Sequence, residues 1–201
     1  MDVRERYTAA VVSFTDLLTR VPLSAYDGPG LGDWDLRALV GHTSRALLTV
    51  QTYLDRPAAV AEVGSAAEYV VKAVGVSTDP GAVLDRGRAA GAALGDDPAA
   101  FVRTLGADVV AKVAGFDLDY VLETIAGAMR LGDYLPTRTF ELVVHGLDVA
   151  RATGTDPAYP DEVLADAASL AAQVAVRTGR GPDLLLALTG RAPLPAGFSV
   201  V

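Results

Sequence analysis

The stretch TFELVVHGLDVARATG, residues 139–154, places a glutamate, a histidine and an aspartate inside a run of apolar, helix-forming residues. At about 100° per residue, these three residues and Arg138, just before the stretch, fall on one narrow strip of a helix. Apolar residues border the strip on both sides, whereas a solvated helix face is broad and mixed in charge. Because an unpartnered titratable group is costly to bury, the strip predicts a polar site inside a helical bundle.

The composition favours an all-α protein with one domain over residues 1–201, a length that allows a full-sized core. Hydrophobic residues make up 51% of the chain and aromatic residues only 6%, which is typical of closely packed helices. The net charge is −8 and the basic residues are scattered, so we expect no nucleic-acid partner. The absence of cysteine excludes disulfides, thiolate metal ligands and a cysteine nucleophile.

The start of the chain, MDVRERYTAA, is charged at once and has no apolar signal core. No stretch reaches the roughly 18 uninterrupted apolar residues of a membrane span. We therefore expect a cytoplasmic protein with no membrane partner.

Apolar spacing and the positions of proline and glycine predict helices over 2–20, 34–55, 134–153, 161–178 and 181–190. The expected caps are Asp33 at the start of the second of these helices, Gly154 at the end of the third and Gly179 at the end of the fourth.

The middle of the chain is less regular. Residues 58–113 are alanine-rich and predicted to be helical, with breaks at 76–81 and 94–98, where an aspartate before a proline favours a new helix start. This region either packs in the bundle or mediates a homodimer. Residues 116–135 show no helical period and predict an irregular or short-strand connection.

The other histidine of the chain, His42, lies in WDLRALVGHTSRALLTVQTYL, residues 34–54, at the margin of an apolar helix face. Small residues one turn away leave space beside its ring. Glu141 and His145 are four residues apart and point the same way from successive turns. Together with His42 they supply two nitrogens and one oxygen, a set that suits a zinc-like ion with an open position. The same set also suits non-haem iron, so the residues leave the metal open.

Three further charged residues are candidates for roles beside a metal. Asp148, one turn beyond His145, is either a hydrogen-bond acceptor that orients an imidazole or a catalytic base. Arg138 and Arg45 are candidates for binding an anionic group of a substrate or cofactor. The alternative for Arg138 is a pair with Glu141, and the alternative for Arg45 is a surface position.

Three segments resemble the metal-binding N-terminal domain of mycothiol-dependent maleylpyruvate isomerases, a part of the DinB-like superfamily. They are WDLRALVGH (34–42), TRTFELVVHGLDVARATG (137–154) and LLLALTGRAPLPAGFSVV (184–201). The resemblance covers essentially the whole chain. It implies a four-helix bundle with an up-down-down-up arrangement and extra short helices, with a metal near one end.

The same resemblance implies that His42, Glu141 and His145 are the metal ligands, usually of zinc, with water completing the shell. Relatives use the metal to activate a low-molecular-weight thiol, mycothiol in actinobacteria, which attacks a small electrophile. The full isomerases carry a second domain, whereas this chain stops at Val201. We therefore expect thiol-dependent S-transfer or isomerisation of another small electrophile.

The residues leave two non-enzymatic functions open. One is a helical bundle that binds a metal or small ligand without catalysis. The other is a structural bundle whose polar strip is an internal network, with Arg138 paired to Glu141 and Asp148 paired to a histidine.

Overall fold

In a computed structural model, the described residues 1–76 and 79–200 form eight α-helices and one β-hairpin. The helices are α1 (Val3–Thr19), α2 (Leu36–Tyr53), α3 (Ala66–Val76), α4 (Pro80–Ala92), α5 (Pro98–Ala114), α6 (Leu131–Thr153), α7 (Asp161–Arg177) and α8 (Gly181–Leu188), and the strands are β1 (Val121–Thr124) and β2 (Gly127–Arg130). The prediction of an all-α class is confirmed. None of the described helices has the length and apolar character needed to cross a bilayer.

Four helices enclose the main core. Helix α1 packs against α5 and α6, and α2 packs against the same two helices. The core between them includes fully buried side chains such as Phe14, Leu39, Leu47 and Leu142. Helix α4 covers α2, while α3 and α7 cover α6, and α8 packs on α7. The alanine-rich region thus contributes α5 to the bundle and α3 and α4 to its outer layer.

The two predicted aspartate-proline helix starts are confirmed. Asp97 accepts a hydrogen bond from the backbone N–H of Ala100 at 2.9 Å, and Asp79 accepts one from Gly81 at 2.9 Å. These side chains satisfy N–H groups that the first turn of each helix leaves unpaired. Part of the predicted break at 76–81, residues 77 and 78, lies outside the described residues.

The predicted N-cap of α2, Asp33, is wrong by two residues. The N-cap is Asp35, which accepts from the backbone N–H of Ala38 at 2.7 Å. The chain is not yet helical at Asp33 because the N–H of Trp34 donates to the carbonyl of Leu31 at 3.0 Å and closes a turn. This turn delivers Trp34 to the side of the bundle where α4 packs.

The irregular stretch before α6 is a hairpin, so the short-strand alternative for 116–135 is confirmed. The two strands are antiparallel, with Val121 opposite Arg130 and Thr124 opposite Gly127. Helix α6 begins at Leu131, before the predicted start at residue 134.

The prediction of a helix from residue 58 is wrong for residues 58–65. The backbone N–H of Ala58 donates to Val121 at 3.0 Å, and the N–H of Glu62 donates to Ala128 at 2.7 Å. This segment therefore uses its donors against the hairpin and cannot place them in a helix. The helix starts only at Ala66.

Helix α4 approaches the backbone of α2 closely. A Cβ added to Gly41 would overlap the backbone of Gly91, and a Cβ on Gly91 would lie 2.8 Å from the carbonyl oxygen of Arg37. Glycine at both positions is what allows this contact. Trp34 adds a hydrogen bond to α4, because its indole N–H donates to the carbonyl of Leu84 at 3.1 Å. These contacts fix the position of α4 relative to α2, the helix that carries His42.

From the sequence we expect Leu147 to be a core residue whose replacement costs about 2–5 kcal/mol, and this prediction is wrong. Leu147 is 41% exposed, whereas Leu142 on the same helix is fully buried. Helix α6 turns its polar strip toward α2, and that rotation brings Leu147 to the outer surface.

These two leucines form a matched pair for a stability test. We expect Leu142→Ala to lower the free energy of unfolding by about 2–5 kcal/mol, because it leaves a cavity in the core. We expect Leu147→Ala to change it by less than about 1 kcal/mol, as at other surface positions. Urea denaturation of both variants measures the difference. Equal losses would contradict the rotation of α6 described above.

Candidate metal centre

The three predicted ligands come together between α2 and α6. His42, Glu141 and His145 each offer one ligand atom, and these atoms all lie within 4.8 Å of one another. The two imidazole rings meet edge to face, with centroids 5.0 Å apart. Among the described residues this is the one cluster of at least three histidine or acidic side chains with that spacing. Metal binding by the three residues stays a prediction.

His42 is held as a neutral imidazole. Its ring packs against Trp34, with ring centroids 4.6 Å apart. Burial, reinforced by the nearby charge of His145, lowers the pKa of His42 to about 4. Its Nδ1 atom is buried and has no hydrogen-bond partner among the described residues. A neutral imidazole is the form that binds metal ions.

His145 lies between two carboxylates on its own helix. Its Nε2 atom is 3.3 Å from Oε2 of Glu141, and its Nδ1 atom is 3.2 Å from Oδ2 of Asp148. Burial alone lowers the pKa of His145, but the hydrogen bonds to Asp148 and Glu141 outweigh it and raise the pKa to about 9. Without a metal, His145 is therefore an imidazolium at neutral pH.

The charge of Glu141 is stabilised from two sides. Burial raises the pKa of this carboxyl, but the hydrogen bond from His145 and the charge of Arg138 prevail and lower it to about 2. Glu141 is ionised throughout the physiological range. The carboxylate is thus present in the state that a metal requires.

Arg138 is the most buried charged group of the strip, with 9% of its surface exposed. Its Nε–H donates to the hydroxyl of Thr137 at 2.9 Å. The guanidinium carbon lies 5.1 Å from the ring centroid of Tyr134 and 5.4 Å from that of Tyr69. Within the described part of the chain it forms no ion pair shorter than 4.0 Å, so the direct pair with Glu141 does not form.

A cavity of about 490 Å³ opens beside the cluster. Its lining includes His42 and Glu141 as well as both predicted anion-binding residues, Arg45 and Arg138. Asp148 is not among the residues that line this cavity, and instead lines a groove on the outer side of α6. The structure therefore places Asp148 behind His145 as seen from the cavity.

Sequence reasoning missed several residues around the site. Trp34 stacks on His42, and Tyr53, Tyr69 and Arg86 line the cavity. Trp34 could have been singled out from the sequence, because it stands in the quoted segment 34–42 and is the single tryptophan of the chain. No sequence pattern pointed to the other three residues, because they lie on elements whose position relative to α6 depends on tertiary packing.

A helical bundle with this cluster between two of its helices is of the DinB-like type. The model of the mycothiol maleylpyruvate isomerase N-terminal domain family matches residues 7–150. This match spans most of the chain and includes His42, Glu141 and His145, and the chain belongs to this family. No curated protein and no solved structure matches the chain.

The bridging position of His145 predicts a pH dependence of stability in metal-free protein. The pKa of His145 is about 9 in the folded chain, above the value of about 6.5 expected when unfolded. Its contribution is therefore fully present below about pH 6.5 and is lost as the pH rises through about 9. We expect the free energy of unfolding to fall over this range in chelator-treated wild-type protein.

The matched control is His145→Gln, which cannot carry the proton. Urea denaturation of wild type and variant at several pH values within this window measures the effect. We expect the variant to lack most of the fall, and an equal fall in both proteins would contradict the assignment to His145.

Proposed function

We propose that this chain is a metal-dependent enzyme that uses a low-molecular-weight thiol, such as mycothiol, in S-transfer or isomerisation of a small electrophile. The observation that carries the proposal is the convergence of His42, Glu141 and His145 beside an open cavity. Family membership supports the choice of thiol, because the family is described by mycothiol and maleylpyruvate isomerisation.

The residues present fit a catalytic metal site. Three protein ligands leave a position for water or substrate, which is typical of catalytic rather than structural zinc. The buried Nδ1 atom of His42 has no hydrogen-bond partner, and a metal would account for such an atom. We propose zinc as the ion. Two histidines and one carboxylate also bind non-haem iron, and metal analysis separates the two.

A bound divalent metal supplies Lewis acidity, which lowers the pKa of a thiol enough to make it nucleophilic near neutral pH. The residues of the chain prepare the site for this chemistry. His42 is already neutral and Glu141 already ionised. His145 must release the proton that Nε2 shares with Glu141 before it can act as a ligand.

We propose that Asp148 is a positioning residue for His145. Its carboxylate contacts Nδ1 of His145 at 3.2 Å, which leaves Nε2 directed toward Glu141 and the centre of the cluster. A carboxylate behind a metal-binding histidine orients the ring and increases its basicity. This geometry favours the orienting role over that of a general base, since Asp148 lies outside the cavity lining.

The internal-network alternative has one observation in its favour, the position of His145 between Glu141 and Asp148. It leaves two groups unexplained. Nδ1 of His42 has no partner, and the guanidinium of Arg138 has no paired carboxylate. The metal proposal accounts for His42 directly. A non-catalytic metal-binding module would use the same ligands and would differ only in the absence of turnover.

The metal proposal predicts about one equivalent of zinc in untagged, reconstituted protein. Glu141→Gln and His145→Ala should lose the ion while keeping their helical circular dichroism, because the apolar core is unchanged. The matched control Glu123→Gln, at an exposed glutamate on β1, should bind zinc normally. Binding near pH 7.5 should also release about one proton, from His145.

Elemental analysis and titration calorimetry in buffers of different ionisation enthalpy provide these measurements. Less than about 0.2 equivalents of any transition metal after reconstitution would decide for the internal network.

The positioning role of Asp148 predicts a partial loss. Asp148→Asn should weaken zinc binding by about 10–100-fold, the usual effect of removing an outer-shell partner of a ligand. Turnover of chlorodinitrobenzene with a panel of thiols should fall and its pH profile should shift, because His145 loses a carboxylate neighbour. The control Asp156→Asn changes an exposed residue of the same outer groove that does not contact His145.

Unchanged zinc affinity, turnover and pH profile in Asp148→Asn would remove this residue from the mechanism. Zinc binding without turnover by the wild-type protein, across the thiol panel, would decide for the non-catalytic module.

A further inference from the structure

The two histidines of the candidate metal centre are supported in different ways. The Nδ1 atom of His145 contacts the carboxylate of Asp148 at 3.2 Å, so a hydrogen bond sets the orientation of that ring. The buried Nδ1 atom of His42 has no hydrogen-bond partner in the described part of the chain. Metal-binding histidines usually have such a partner, which fixes the plane of the ring. The orientation of His42 therefore depends on packing.

The indole ring of Trp34 lies against the imidazole ring of His42. The ring centroids are 4.6 Å apart and the planes are inclined by 34°, whereas the ring of His145 meets His42 at 88°. Of these two aromatic neighbours, only Trp34 lies outside the predicted set of metal ligands. Because rotation of the imidazole would break this contact or produce a clash, the indole restricts the rotation of His42.

Trp34 is itself held by three hydrogen bonds. Its backbone N–H donates to the carbonyl of Leu31 at 3.0 Å, and its own carbonyl accepts from the N–H of Gly30 at 2.9 Å. Its indole N–H donates to the carbonyl of Leu84 on α4 at 3.1 Å. Every hydrogen-bonding group of this residue is thus used, so the indole is already oriented in the metal-free chain.

A buried glycine on α4 makes room for the indole. A Cβ built on Gly87 would lie 2.6 Å from Cε2 and Nε1 of Trp34, closer than two such atoms can approach. The three atoms nearest to that Cβ all belong to Trp34, and Gly87 does not line the cavity. An alanine at position 87 would therefore displace the indole without touching any candidate metal ligand.

We infer that Trp34 is a positioning residue for His42, and that Gly87 provides the space on α4 that this positioning requires. The inference rests on the proposed metal site. In that site the indole orients His42 by packing, as the carboxylate of Asp148 orients His145 by a hydrogen bond. A ring that is already oriented loses less conformational freedom when it binds an ion, and this raises the affinity for the metal.

Proton NMR of chelator-treated protein tests the positioning without a metal. The chain has two histidines, so comparison with His145→Gln assigns the ring signals of His42. In the wild type we expect the ring current of the indole to shift these signals from the values of a free histidine, with nuclear Overhauser contacts to Trp34. Gly87→Ala should reduce both the shift and the contacts at the same pH.

Competition with a chromophoric chelator measures the zinc affinity of the same proteins. Trp34→Leu removes the aromatic ring and Gly87→Ala displaces it, so each should bind zinc about tenfold more weakly than the wild type. Trp34→Phe keeps an aromatic face and should stay within about threefold. The matched control is Gly75→Ala, at an exposed glycine of α3 with open space for a Cβ, and it should bind zinc normally.

The combined variant Trp34→Phe with Gly87→Ala separates positioning from a general loss of stability. A phenyl ring is smaller than the indole and lacks the atoms that the new Cβ would meet. We therefore expect the combined variant to bind zinc as tightly as Trp34→Phe alone, so that the two losses are not additive. Val109→Ala, in the buried core of α5, should lower the free energy of unfolding but leave zinc affinity within about threefold.

Additive losses in the combined variant would overturn the inference, and so would unchanged ring signals of His42 in Gly87→Ala. If Gly87→Ala fails to fold, the comparison of Trp34→Leu with Trp34→Phe provides the test, and equal affinities in these two variants would overturn it.

The outcomes also separate this inference from the proposed function. Zinc binding that is unaffected by Trp34→Leu keeps the proposed function and refutes the positioning role. Wild-type protein that binds no zinc refutes the proposed function, and the ring signals of the chelator-treated protein then decide whether Trp34 positions His42.

Discussion

The contact between α2 and α6 is the interaction on which the site depends, because it encloses His42, Glu141 and His145 in one small volume. Enclosing a carboxylate is tolerated only when a positive charge accompanies it. In the metal-free chain that charge comes from the protonated His145, which lies between Glu141 and Asp148, together with the nearby Arg138. A metal ion would take the place of this proton. The ion-pair network and a bound metal would thus be two ways of neutralising the same partly buried carboxylate.

The helices around this contact give His145 two distinct sides. On one side is the cavity with His42, Glu141 and Arg138, and on the other is the groove that contains Asp148. The outer helix α4 fixes the cavity side, because Gly41 and Gly91 let it approach α2 closely. The residue that orients His145, Asp148, is therefore separate from the residues that line the cavity open to small molecules.

The cavity beside the metal cluster is lined by more positive than negative side chains, although the protein as a whole is acidic. The acidic chain directs three arginines into one cavity, and one of them, Arg138, is buried without a carboxylate partner. Arg138 lowers the pKa of Glu141, so this arginine and the candidate metal site are electrostatically coupled.

The sequence by itself determined what depends on neighbours along the chain. The caps of Asp79 and Asp97, the end of α6 at Gly154, and the shared face of Glu141 and His145 follow from local hydrogen bonds and helical period. Only the tertiary structure decided that Leu147 is exposed, that residues 58–65 pair with the hairpin, and that Tyr69 and Arg86 reach the cavity. The period of a helix places residues on a face, but which way that face points is set by the packing of distant segments, whose contacts no local pattern encodes.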